Sequence, residues 1–159
     1  ENRDEVAEAV GVGAVVFHYL YNSRIKDINF IMEDALSFDG NTGPYVQYTY
    51  ARACSLLSRA GEVGTEPAPL ECEEELTLAK TLCRFGERVV AALEDYEPSY
   101  ITRFILDVAA AFNRFYHNCP ILSAADPAVR ASRLRLTEAT KIVLGNAFDL
   151  ICLRKTERV

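Results

Sequence analysis

Two tyrosines and two arginines are predicted to share one helical face, and their side chains are of the types that hold single-stranded nucleic acid. In residues 43–60 a 3.6-residue period assigns a core stripe to Val46, Tyr50, Ala53 and Leu57. An arc roughly 140° away carries Tyr45, Tyr48, Arg52 and Arg59. Tyrosine rings stack on unpaired bases, and arginine pairs with phosphate or stacks as well. The alternative is that these tyrosines pack against a neighbouring helix with their hydroxyls at the rim.

Two further candidates lie near predicted helix ends. Asn41 belongs to the loop DGNTG, which precedes Pro44 at a first helical position. Backbone amides at a helix start attract phosphate, although an ordinary connecting turn explains the same residues. Arg114 lies beside Tyr116 near the end of a later helix. It extends the same binding face, or it is a solvated cation that stabilises the C-terminus of its helix.

The elements that position these residues are predicted to be helices throughout. Alternating strand patterns are missing, and we expect an all-α bundle of about five to six helices. The predicted helices cover about 4–21, 44–60, a segment opening at ECEEEL with a break near Gly86, 98–118, and 127–153 after an Asp126 cap. No apolar run is long enough to span a membrane.

Charge and cysteine usage restrict the possible sites. The 159 residues carry a net charge of −6, but residues 1–97 hold 18 acids and 8 bases whereas residues 98–159 hold 5 and 9. A local basic face on an acidic protein remains compatible with RNA. The acidic run Glu73–Glu75 should face water. The five cysteines are widely spaced and mostly within apolar stripes, which is typical of reduced, buried thiols, and we expect neither a zinc site nor another metal.

An ordered series of segments resembles one known family. LSFDGNTGPYVQYTYAR, EPSYITRFILDVAAAFNRFYHNCPIL, RLRLTEATKIVLGNAFDLICL and a terminal ERV occur in the expected order, after VGVGAVVFHYL and NSRIKDINF. Over residues 5–159 the chain resembles the C-terminal, DALR-type anticodon-binding domain of arginyl-tRNA synthetases, which are class I aminoacyl-tRNA synthetases. The resemblance implies one domain over 1–159, in which 1–35 is a connecting helix and loop and 36–159 is the core bundle.

The resemblance also implies particular roles. In the family, positions matching Tyr45, Tyr48, Arg52, Tyr116 and Val159 lie against the anticodon side of the tRNA. At position 159 this chain has valine where the family tends to have methionine, and the shorter side chain reaches less far toward a base. Angular position alone puts Tyr116 at the edge of a core stripe with Phe112 and Phe115.

The parent enzyme implied by the resemblance is an arginine–tRNA ligase that uses ATP and Mg²⁺. The HIGH-type and KMSKS-type catalytic signatures are not in this sequence. We therefore expect a fragment without catalytic residues or cofactors of its own, located in the cytoplasm, whose partners are arginine tRNA and the parent catalytic domain, with neither DNA nor a membrane among them. The alternative is a helical protein–protein interaction module, since tyrosine and arginine are also favoured anchors of protein interfaces.

Overall fold

The chain is helical throughout the part that the structure, a computed structural model, describes, namely residues 3–61 and 66–157. Its helices are α1 (Arg3–Tyr21), α2 (Met32–Ala35), α3 (Gly43–Ala60), α4 (Glu73–Cys83), α5 (Phe85–Glu94), α6 (Ser99–Asn118) and α7 (Pro127–Leu150). Six of them have ten residues or more, and α2 is a single turn of four. The all-α prediction is confirmed. Within these residues no helix is both long and apolar enough to cross a membrane.

Pro44 and Asp126 stand at the helix starts that the sequence predicted, and Thr42 caps the first of them. The Thr42 hydroxyl accepts a hydrogen bond from the backbone N–H of Tyr45 at 3.2 Å, and Pro44 occupies the first turn of α3. The Asp126 carboxylate accepts from the backbone N–H of Ala128 at 2.8 Å and caps α7. These caps satisfy backbone donors that have no partner inside the helix.

The ends of two helices differ from the prediction. α7 ends at Leu150 rather than near 153, because Cys152 adopts a left-handed backbone with φ of 56° and Leu153 N–H bonds back to Phe148 at 2.9 Å. The break between α4 and α5 falls at Arg84, and Gly86 lies inside α5. Gly86 itself therefore does not interrupt the helix, and the break falls two residues earlier.

One core holds the long helices together. α6 lies at its centre and packs against α1, α3, α4, α5 and α7. Its stripe is fully buried and consists of Ile105, Val108, Phe112 and Phe115. Phe17 of α1, Val46 of α3 and Phe148 of α7 belong to the same cluster. Apolar residues that recur every three or four positions along α6 account for this burial.

The acidic start of α4 does not lie entirely in water. Glu75 is buried, and its carboxylate accepts from Arg133 at 2.6 Å and from the backbone N–H groups of Glu71 and Cys72. Burial favours the neutral acid, but these hydrogen bonds outweigh that effect and lower the pKa of Glu75. The expectation that Glu73–Glu75 face water is therefore wrong for Glu75, which ties α4 to α7.

Candidate nucleic-acid interface

The outward face of α3 carries Tyr48, Arg52 and Arg59, as its periodicity predicted. Tyr48 is 42% exposed, Arg59 is exposed and Arg52 is half-buried. All three line one open pocket of about 290 Å³. The other residues of this pocket are Ala51, Ser55, Tyr116 and Glu157. Its volume is at the lower end of what small-ligand sites have.

Arg52 lies between two aromatic rings. Its guanidinium carbon is 4.9 Å from the centroid of the Tyr48 ring and 4.7 Å from that of Tyr116. At these distances the cation is attracted by the electron-rich faces of both rings. Tyr48 comes from the same helix one turn earlier, whereas Tyr116 comes from the end of α6. The contact between α3 and α6 therefore assembles the cluster.

An asparagine on α6 fixes the position of Arg52. The Asn113 side-chain oxygen accepts a hydrogen bond from Arg52 Nη1. Its amide nitrogen donates to the Tyr45 hydroxyl at 3.0 Å and to the Thr49 hydroxyl at 3.1 Å. Asn113 was not among the predicted site residues. The signal for it was its position one turn before Tyr116, which places both side chains on one side of α6.

Tyr45 lies apart from the other predicted residues of its arc. It is half-buried, packs against the core and does not line the pocket of Tyr48 and Arg52. Its hydroxyl accepts the bond from Asn113. The shared face predicted for α3 thus holds for Tyr48, Arg52 and Arg59, and Tyr45 supports that face from inside.

Two other predicted residues lie outside the pocket. Asn41 donates to the Tyr21 hydroxyl at 3.1 Å and lines two pockets that contain residues of α1. Arg114 is exposed on the side of α6 that faces α4, where it adds to the effect of an Asn118 hydrogen bond that lowers the pKa of Glu74. Val159 lies outside the described residues.

Two residues that the sequence did not single out complete the surface. Phe38, half exposed in the loop before α3, meets the Tyr48 ring edge-on with centroids 6.3 Å apart. Glu157 arrives from the segment after α7 and pairs with Lys141 at 3.6 Å. This segment is held in place because Gln47 of α3 donates to the Arg154 carbonyl at 3.0 Å. Long-range packing of this kind has no signature in the local sequence.

The pocket continues into a second groove along the end of α6. Arg59 and Tyr116 line both, and the groove, of about 340 Å³, then follows residues 117–123. Two arginines, two tyrosines and an exposed phenylalanine therefore surround an open, elongated surface, with one carboxylate at its edge. Stacking platforms beside cations are the combination that accommodates a splayed, unpaired nucleotide strand.

Comparison with known proteins agrees with this arrangement. Residues 46–159 match the family described as DALR anticodon binding domain. The chain is 46% identical over 163 residues to the arginine–tRNA ligase of Clostridium perfringens and spans 29% of that protein. A Thermus thermophilus arginyl-tRNA synthetase structure superposes with a TM-score of 0.95 at 34% identity, covering 100% of this chain and 28% of that one. The arginyl-tRNA synthetase of Plasmodium falciparum gives 0.89 at 25% identity, covering 98% and 28%. The chain thus spans less than a third of these proteins.

Proposed function

Because the chain belongs to the DALR anticodon-binding domain family, we propose that it binds the anticodon loop of arginine tRNA as the C-terminal part of an arginine–tRNA ligase. The chain spans 29% of the Clostridium perfringens relative that carries this name. On this proposal, ATP- and Mg²⁺-dependent aminoacylation belongs to the remainder of a longer parent, which acts in the cytoplasm. The present chain contributes affinity and specificity for the tRNA.

The observation that carries the proposal is the Arg52 cluster. A guanidinium held between Tyr48 and Tyr116 opens onto a pocket that also contains Arg59. Bases splayed out of an anticodon loop present flat faces to such rings, and each stacked base contributes about 1–3 kcal/mol. The exposed ring of Tyr48 is the first stacking platform, and Tyr116 is the second.

The arginines have different tasks in this mechanism. Arg52 is already ordered by Asn113 and by the two rings, so less side-chain entropy is lost when it contacts RNA. Arg59 is exposed at the junction of the pocket and the groove, a position from which its guanidinium can pair with a phosphate of the loop. Glu157 disfavours a phosphate at its own edge of the pocket, so the backbone of the loop runs on the Arg59 side.

A titration with a labelled anticodon stem-loop of arginine tRNA tests the proposal. The chain and its Tyr48→Ala and Arg52→Ala variants are compared by fluorescence anisotropy at low salt. We expect each variant to bind at least tenfold more weakly, which corresponds to the loss of about 1.4 kcal/mol or more. Circular dichroism verifies that each variant keeps its helical content.

Matched controls come from another surface of the molecule. Tyr96→Ala removes a 77% exposed ring at the end of α5, and Arg84→Ala removes a solvated cation that pairs with Glu87 at 3.9 Å. Both should bind the stem-loop as the parent chain does. The proposal fails if the stem-loop does not bind, or if Tyr48→Ala and Arg52→Ala bind it no more weakly than these two controls.

A further inference from the structure

Two cysteine thiols lie in contact where α4 begins and α6 ends. Cys72 is the N-cap residue of α4 and Cys119 is the C-cap residue of α6, and their sulfur atoms are 3.1 Å apart. They are separated by 47 positions in the sequence, so the contact exists because the two helices pack together. Neither thiol takes part in the proposed RNA-binding cluster around Arg52.

From this geometry we infer that Cys72 and Cys119 form a reversible disulfide, which makes the pair a redox modification site. A disulfide requires its sulfur atoms at about 2.05 Å, roughly 1 Å closer than they are here. Both residues have extended backbone, with φ and ψ of −83° and 153° at Cys72 and of −112° and 114° at Cys119. Neither is inside a helix, so side-chain rotations that bring the sulfur atoms together leave the backbone–backbone hydrogen bonds within both helices unchanged.

A metal site fits the same residues less well. The Glu74 carboxylate lies within 4.8 Å of both sulfur atoms and offers a third ligand. A structural zinc site needs four ligands, and two thiolates on one tetrahedral Zn²⁺ stand about 3.75 Å apart when each Zn–S bond is 2.3 Å. The sulfur atoms here are closer than that, and Glu74 already accepts a hydrogen bond from Asn118 at 2.8 Å.

Accessibility sets the order of the chemical steps. Cys72 is half-buried, whereas Cys119 is 4% exposed. Burial and the hydrogen bond with Cys72 raise the pKa of the Cys119 thiol to about 12, which keeps it protonated. A small organic disulfide therefore meets Cys72 first.

The reaction is an ordinary thiol–disulfide exchange. The Cys72 thiol loses its proton to water, and its thiolate attacks the small disulfide, forms a mixed disulfide and releases one small thiolate, which takes up a proton. The Cys119 thiol then gives up its proton to water, and its thiolate attacks the Cys72 sulfur and displaces a second small thiolate, which is protonated in turn. Two protein thiols are oxidised to one disulfide, and one small disulfide is reduced to two thiols. The new bond joins the start of α4 to a residue that lines the groove beside Tyr116.

The test equilibrates the folded chain in glutathione buffers of graded oxidised-to-reduced ratio, followed by alkylation and mass spectrometry. We expect a species 2 Da lighter than the reduced chain, a peptide cross-linked between positions 72 and 119, and three alkylatable thiols of the five in the sequence. The unfolding midpoint of this species should be about 5–10 °C higher than that of the reduced chain, and excess reduced glutathione should reverse the shift.

Single substitutions supply the controls. Cys72→Ser should abolish the cross-link and the thermal shift, and it should fold because serine is a favoured N-cap residue. Cys83→Ser removes an exposed thiol and should leave both effects unchanged. The inference is overturned if positions 72 and 119 stay reduced or carry separate glutathione adducts while Cys83 is glutathionylated. Protection of both thiols by added Zn²⁺, without any cross-linked peptide, would also overturn it in favour of a metal site.

Discussion

Contacts with neighbouring side chains hold the Arg52 guanidinium in one position. Two rings and one amide oxygen contact its guanidinium, and the same amide group also holds Tyr45 and Thr49. A long cation on a helix surface normally samples several rotamers, and ordering it on binding costs free energy. Here the tertiary structure has already ordered the cation, so Asn113 acts as a positioning residue for the proposed RNA contact.

Asn113 should stabilise the fold through its three side-chain hydrogen bonds. Asn113→Ala should lower the free energy of unfolding by about 1–3 kcal/mol, because the hydroxyls of Tyr45 and Thr49 lose a donor and Arg52 loses an acceptor. Urea unfolding followed by circular dichroism measures this change. Asn146→Ala, on the exposed side of α7, is the matched control and should change stability by less than about 0.5 kcal/mol. An equal effect of both variants would mean that the Asn113 network does not stabilise the fold.

The buried carboxylate of Glu75 should make the stability of the protein depend on pH. Its pKa in the folded protein lies below its usual value of 4.5, so the folded state binds a proton less readily than the unfolded chain. The resulting stability is fully present above about pH 4.5 and is lost as pH falls through the lowered folded pKa. Glu75→Gln should therefore cost about 2 kcal/mol at pH 7, and this difference should shrink below pH 4.5.

Unfolding experiments from pH 7 to pH 3 measure this difference. Glu138→Gln, at an exposed position of α7, provides the comparison and should show a difference close to zero over the whole range. A Glu75→Gln difference that grew with acidification would reverse the sign required by a lowered pKa. Such a result would mean that the ion pair between Glu75 and Arg133 does not stabilise the contact between α4 and α7.

At the scale of elements, the position of α3 depends on a close crossing with α1. A Cβ atom at Gly43 would stand 2.6 Å from the Gly13 carbonyl oxygen and 2.9 Å from its carbonyl carbon. These contacts are with backbone, which cannot rotate away as a flexible side chain can. Glycine at position 43 thus lets the first turn of α3 lie directly on α1, and the direction of the Tyr48 and Arg52 face follows from this crossing.

Two glycine substitutions test this crossing. Gly43→Ala should destabilise the protein by about 1–3 kcal/mol, since the added methyl group forces α1 and α3 apart. Gly11→Ala, in α1 with no atom within 4 Å of the new Cβ, should instead stabilise it by about 0.5–1 kcal/mol through helix propensity. Thermal and urea unfolding measure both. If the two variants changed stability in the same direction, close packing at position 43 would not be the cause.

For the whole molecule, the basic surface depends on where individual arginines lie and not on the net charge of each half of the chain. The sequence is more basic after residue 97, yet both arginines of the pocket come from α3 in the acidic part. Two cations of α7 make contacts within the protein: Arg133 pairs with Glu75, and Arg130 donates to the Ala60 carbonyl at 2.6 Å. A molecule of net charge −6 therefore presents a basic, aromatic surface at one place.

The dependence of binding on salt tests this surface as a whole. If two or three phosphates of the loop are contacted, the logarithm of the association constant should fall with the logarithm of salt concentration with a slope of roughly −2. Arg59→Ala should bring the slope about one unit closer to zero, because one phosphate contact is lost. Anisotropy titrations between about 50 and 200 mM salt cover a suitable range. A slope near zero would indicate a mostly apolar interface and would favour the protein–protein interaction module.

Near neighbours along the chain predict where most of the helices begin and which side chains share a face along one helix. The Asp126 cap, the place of Pro44 in the first turn of α3 and the period of 3.6 residues depend on near neighbours in the chain, and the structure confirms them. For the same reason Tyr48, Arg52 and Arg59 could be grouped in advance. Their role in RNA binding stays a prediction.

The residues opposite that face depend on how the helices pack against one another. Asn113 and Tyr116 reach Arg52 because α6 packs against α3, and Glu157 reaches the pocket because the chain turns back after α7. The same packing half-buries Tyr45 against the core although its angle on α3 suggested the surface. A helical period fixes the direction of a side chain relative to its own axis, whereas the neighbouring helix decides whether that direction leads to water, to the core or to a partner.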